Sequence, residues 1–171
     1  MSELSERTIV HCAVNQAALH LARYFRARGN SDGDVARLNL RAEVPLLGVK
    51  DAVRLELTAI ATLVPRHAPG DMLPHYAVSW APEENGPYPK FAGELSIENT
   101  DDYSSFYLVL KGNYEPPLGV LGAAFDAVVG HRIAQSTARN LLATIADSIE
   151  AGFIAIETTK TDARKRNETQ V

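Results

Sequence analysis

The chain has 171 residues, enough for one domain with a sizeable core. Hydrophobic residues make up 46% and charged residues 22%, and a net charge of −4 gives none of the basic striping that nucleic-acid binding needs. The single cysteine, Cys12, excludes an internal disulfide and a thiolate metal cage, and no run of about 18 apolar residues reads as a membrane span.

Met1 to Arg7 is polar and lacks the basic-then-apolar pattern of a secretory signal, so a cytoplasmic protein is expected. Thr8 to Ala13 is a short β-rich run and predicts a strand. Asn15 is placed to cap a helix through about Arg28, in which Val14, Ala18, Leu21, Ala22 and Phe25 recur at helical spacing. Gly29 stops it, and residues 30–34 read as a loop.

Two clean period-2 segments follow. Ala36, Leu38, Leu40, Ala42 and Val44 alternate with polar residues, as do Val53, Leu55, Leu57, Ala59, Ala61 and Leu63, apart from Ile60. Such alternation predicts antiparallel strands with one wet face. Pro65 to Pro89 is rich in turn residues and holds one short strand, Tyr76-Val78-Trp80. Phe91, Leu95 and Ile97, then Phe106, Leu108 and Leu110, define two strands joined by the polar turn Asn99 to Tyr103.

Pro116-Pro117 ends the last strand, and a long helical pattern runs from Leu118 to about Ala151. Its stripe includes Leu121, Phe125, Val128, Val129, Ile133, Leu141, Leu142, Ile145 and Ile149. These elements predict one domain over residues 6–155, and the polar residues 156–171 are expected to be a disordered tail. The fold class is α+β: an antiparallel sheet with one apolar face, curled around an amphipathic C-terminal helix.

The stretch from Ser105 to Leu142 carries a resemblance. Gly112, Tyr114, Pro116 and Pro117 form a strand ending Gly-x-Tyr-x-Pro-Pro. It leads into a glycine-containing helix with Leu118, Gly119, Leu121, Gly122 and Asp126, then Arg132, Ile133, Ala134, Thr137 and Leu141. This resembles bacterial members of the START/polyketide-cyclase-like (SRPBCC) superfamily. The resemblance implies a helix-grip fold, with a curved antiparallel sheet around the long helix and an apolar cavity between them. It implies no particular reaction, because such folds host both carriers and enzymes.

The motifs of chemistry are sparse. His11, His20, His67, His75 and His131 form no metal-ligand spacing, and neither a phosphate loop nor a nucleophile elbow is present. Cys12 reads as a small buried hydrophobe. The acid pairs Glu83-Glu84 and Asp101-Asp102 read as solvated turns. Tyr107 and Tyr114 could fix the polar end of a ligand, and His131 or Asp126 could join one of them in an acid/base pair.

The sequence therefore predicts a protein that binds an apolar or amphipathic small molecule. Its cavity would be lined from among Leu57, Ala59, Ala61, Phe106, Tyr107, Leu108, Tyr114, Phe125, Val129 and Ile133. No cofactor, metal or nucleic-acid partner is expected, and the chain would act as a monomer or homodimer. The alternatives are a cyclase- or dehydratase-type enzyme acting on a polyketide-like substrate, and a solid-core interaction module with no ligand.

Overall fold

The period-2 segments all enter one antiparallel sheet. The computed structural model describes residues 2–29, 35–45, 54–66, 72–82, 88–115 and 127–168. In chain order these form β1 (Ser2–Val10), α1 (Val14–Arg26), β2 (Ala36–Pro45), β3 (Arg54–Arg66), β4 (His75–Pro82), β5 (Lys90–Asn99), β6 (Phe106–Glu115) and α2 (Ala127–Glu168). The sheet order is β1-β6-β5-β4-β3-β2. Strands β2 to β6 are a meander, and β1 returns to pair with β6, Ser2 opposite Tyr114 and Val10 opposite Phe106.

Alternation decides which face meets the helices. Ala59, Ala61 and Leu63 of β3 are buried, whereas Ile60 between them and Val64 after them are exposed. Phe91, Leu95 and Ile97 of β5 and Phe106, Leu108 and Leu110 of β6 are buried on the same inner face. Both helices cover that face, and α2 touches β1 and β2, the two edges of the sheet, as well as α1 and β6. A helix that reaches both edges requires the sheet to curl around it.

The buried stripe of α2 runs through Ile133, Ala134, Thr137, Leu141, Ile145 and Ile149. Polar contacts fix its register on the sheet edge. The Glu6 carboxylate of β1 accepts from Gln135 Nε2 at 2.7 Å and pairs with Arg139 Nε at 2.9 Å. At the next level the backbone N–H of His11 donates to Glu150 Oε1 at 2.7 Å.

Several boundaries differ from expectation. Strand β1 begins at Ser2, well before Thr8. Its polar first half contributes only Leu4 to the buried cluster, and pairing with β6 rather than composition holds it. Helix α1 starts from Ala13, not from a capping Asn15. Its first N–H, on Val14, donates instead to the carbonyl of Tyr103 at 3.2 Å. Tyr103 adopts a left-handed φ of 56° in the β5–β6 turn, which Thr100 Oγ1 braces by donating to the Ser105 carbonyl at 2.6 Å.

Pro65 is inside β3 rather than in a turn. The pairing of β2 with β3 ends at Ala36–Leu63, so the missing N–H of Pro65 interrupts no ladder on that side. Helix α2 does not end near Ala151. It continues to Glu168, through most of the segment expected to be a disordered tail. Side chains from Thr158 to Arg166 are exposed. Local bonds support this last stretch: Lys160 pairs with Glu157, and Thr158, Thr159 and Thr161 donate back to carbonyls one turn earlier. The expected helix start at Leu118, with Phe125 and Asp126, lies outside the described residues, as do His67 and the Glu83-Glu84 pair.

Candidate functional site

The inner face carries an aromatic band across its middle strands. Trp80 of β4 lies opposite Phe91 of β5, and their rings stack 4.1 Å apart at 15°. The Phe91 ring lies against Gly93 and Gly112, which face each other across β5 and β6. Tyr76 of β4 meets Phe25 of α1 at 4.5 Å. Tyr88, just before β5, is buried and shares a hydrogen bond with Thr137 of α2. Burial pushes its phenol above the ordinary range, while the bond to Thr137 opposes this.

Tyr114 and His131 also meet. Tyr114 Oη lies 3.2 Å from His131 Nδ1, on a side chain that is otherwise fully packed. The sequence named both residues for such a pairing, and the end of β6 and the start of α2 bring them together.

Between α1, β2 and α2 lies an open cavity of about 410 Å³. Tyr24 and Arg28 line it from α1 and the turn after it, Arg37 to Leu40 from β2, and Thr137, Asn140, Leu141 and Thr144 from α2. The positions on α2 are spaced by three and four residues, so one helix face supplies them. Leu38, Leu40 and Leu141 give it an apolar lining. Arg28 stands over the Tyr24 ring, its Cζ 3.9 Å from the centroid, and its Nη1 donates to the Tyr24 carbonyl at 3.4 Å. The Tyr24 hydroxyl is buried with no hydrogen-bond partner among the described residues. Burial pushes this phenol up, against the pull of Arg28, so it is a neutral O–H at neutral pH.

Among the described residues two other buried polar atoms have no partner: His20 Nε2 and Trp80 Nε1. His20 sits between the helices, its ring 6.2 Å from that of Phe153. Burial, then the nearby Arg23, pushes its imidazole below the ordinary value, so it is held neutral. Cys12 is fully buried, and burial followed by Glu150 raises its thiol. It is a packed hydrophobe and not a thiolate. On the outer face a shallower depression is lined by Arg66, Glu94, Lys111 and Asn113, with His75 Nδ1 paired to Glu94 Oε1.

The predicted lining residues are distributed unevenly. Ala59, Ala61, Phe106, Leu108, Tyr114 and Ile133 are buried on the inner face or on the helix above it. Leu57 lies in β3 opposite Ala42, and Val129 lies in the first turn of α2. Tyr107 alternates to the outer face, where Arg7 covers its ring at 4.8 Å. Among the described side chains, none of these lines the 410 Å³ cavity. Alternation in the sequence puts Leu38 and Leu40 on one apolar face, and the segment that carries the resemblance includes Thr137 and Leu141, but no sequence signal marks Tyr24. No local pattern connects Tyr24, Arg28 and Arg37, which come together only when α1 packs beside the sheet edge.

No protein-family model matches the chain, and no curated protein matches it in sequence. Solved structures do match in shape. A protein from Thermus thermophilus, TTHA0849, aligns over 88% of this chain and 99% of its own with a TM-score of 0.50 and 13% identity. A START superfamily protein from Mycobacterium smegmatis aligns over 90% of this chain and 98% of its own, at TM-score 0.45 and 13% identity. An uncharacterised protein from Bacillus thuringiensis aligns over 90% and 99%, at TM-score 0.46 and 13% identity. The fold is a helix grip, an antiparallel sheet curled around a long C-terminal helix. At such identity the likeness is one of backbone arrangement, so the chemistry of this helix grip must be read from its own residues. Among the described residues, no group of three or more His, Cys, Asp and Glu side chains is placed to hold a metal ion, and no helix is long and apolar enough to cross a membrane.

Proposed function

We propose that the protein binds an apolar or amphipathic small molecule between the edge of the sheet and α2. The observation that carries this reading is the open cavity of about 410 Å³, within the size range of small-molecule sites. A close-packed interior leaves few voids larger than a water molecule. Here an open cavity is lined by three leucines.

The test uses a plug. Thr144 lines the cavity and is exposed, so Thr144→Trp fills the mouth without disturbing the buried stripe of α2. The wild type is expected to bind N-phenyl-1-naphthylamine, a neutral apolar fluorophore, and the variant to lose at least about tenfold in affinity. Its melting temperature should stay unchanged. Probe binding that survives the plug would remove the cavity from the reading, and absence of binding to the wild type would remove the function.

The contact between Tyr114 and His131 favours a second reading, an enzyme of the cyclase or dehydratase type. A phenol and an imidazole 3.2 Å apart, away from the described lining of the cavity, can pass a proton to or from a polyketide-like substrate bound against them. Tyr114→Phe should then lower turnover by about 100-fold or more while leaving probe affinity unchanged. Equal loss of binding and turnover would make Tyr114 a packing residue.

A further inference from the structure

The mouth of the cavity has a charge pattern that its apolar depth does not require. Arg28 and Arg37 both line it, and among the described residues no aspartate or glutamate does. Among the described residues neither guanidinium is paired with a carboxylate. The other polar side chains of the described lining are neutral: Tyr24, Asn39, Thr137, Asn140 and Thr144.

We infer that this cavity takes an amphiphile with an anionic carboxylate head, the head held at Arg28 and Arg37 and the apolar chain lying on Leu38, Leu40 and Leu141. This rests on the binding function proposed above and names the class of ligand. A guanidinium offers a planar fork of N–H donors that fits a carboxylate with two parallel hydrogen bonds. Stacking on Tyr24 holds the Arg28 side chain, so less rotamer freedom is lost when the head arrives.

A guanidinium fork fits a phosphate too, but the described lining adds no helix N-terminus to it. Anion cradles for phosphate draw on helix N-termini and runs of backbone amides. Here α2 contributes Thr137 to Thr144, the middle of a helix that is described from Ala127, and α1 contributes its C-terminal end. The negative end of the α1 dipole lies near Arg28, so charge at this mouth must come from the arginine side chains themselves.

The experiment is displacement of N-phenyl-1-naphthylamine by two competitors with the same ten-carbon chain, decanoate and decan-1-ol. In the wild type, decanoate is expected to displace the probe at about one tenth the concentration of decanol, the size of one or two charge-assisted hydrogen bonds. Raising the salt concentration should narrow that gap. In the double variant R28Q/R37Q the order should reverse, because decanol keeps its affinity and decanoate loses its partners. Both arginines are exposed, so the variant should melt as the wild type does.

Decanoate no better than decanol in a protein that binds the probe would overturn the inference and leave the binding function standing. So would an advantage that survives in R28Q/R37Q. A wild-type protein that does not bind the probe would overturn both.

Discussion

Gly112→Ala is expected to cost about 3 kcal/mol, the top of the usual range for overpacking, and Gly112→Val enough to leave the chain unfolded at ordinary temperatures. The reason is geometric. A Cβ added at Gly112 would lie 2.4 Å from the Ala92 carbonyl oxygen, 2.5 Å from the Gly93 Cα and 2.7 Å from the Phe91 ring. One added at Gly93 would lie 2.3 Å from the Lys111 carbonyl oxygen and 2.7 Å from the Gly112 Cα. Backbone atoms cannot rotate aside as a long side chain can. The two strands would have to part at the point where Gly93 and Gly112 face each other in register.

Glycine within a strand often marks such a close approach. Here Phe91 lies across the pair, in contact with both added Cβ positions and stacked on Trp80. A side chain at either glycine would therefore displace the central aromatic band as well as the ladder. Ala92→Val, on the exposed face between them, adds more volume yet should change stability by less than about 0.5 kcal/mol. Urea unfolding of the three proteins decides it. A Gly112→Ala midpoint equal to that of the wild type would show that the strands there have room to spare.

That pair also shows what a sequence can reveal. Gly112 belongs to the Gly-x-Tyr-x-Pro-Pro segment on which the superfamily resemblance rested, yet its partner Gly93 was indistinguishable from any glycine in a strand. Only the register of β5 against β6 makes them one feature. The strands themselves were legible because each buries one face: Ala59, Ala61 and Leu63 alternate with exposed residues as the pattern requires. Strand β1 was half hidden, since its edge position leaves Ser2 to Arg7 largely solvated and its order comes from pairing with β6. The true end of α2 was hidden for the opposite reason. Its apolar stripe stops near Ile149, and the helix continues on local bonds that leave no stripe to read.

The candidate site was less legible than the fold. Apolar alternation identifies the face on which a cavity can form. It does not say where side chains will fill that face and where they will fall short. Small Ala59 and Ala61 suggested space near the middle of β3. In the structure Trp80 stands opposite Ala61, and Ala59 is opposite Leu40, with both alanines buried. The open space lies beyond them, past β2, where a tyrosine and two arginines from separate elements meet α2.

Trp80 is therefore the residue on which the packing of the middle of the sheet depends, and its replacement should have the other large effect. Trp80→Ala is expected to cost about 3–5 kcal/mol, the range for deleting a buried aromatic side chain. The indole is 2% exposed, stacked on Phe91, and set between it and Ala61 in register. Neither the glycines beside Phe91 nor Ala61 has the reach to refill that volume. Trp80→Phe should cost far less, about 1 kcal/mol. It retains a ring against Phe91, and it removes an N–H that is buried with no partner among the described residues. An unsatisfied buried donor costs about 1–3 kcal/mol, so its loss offsets much of the lost contact area. Denaturation followed by circular dichroism gives both values without relying on fluorescence, since Trp80 is the protein's single tryptophan. Equal losses in the two variants would mean that the indole N–H is bonded in the native protein. The middle of the sheet would then be held by a polar contact rather than by the fit of one ring against another.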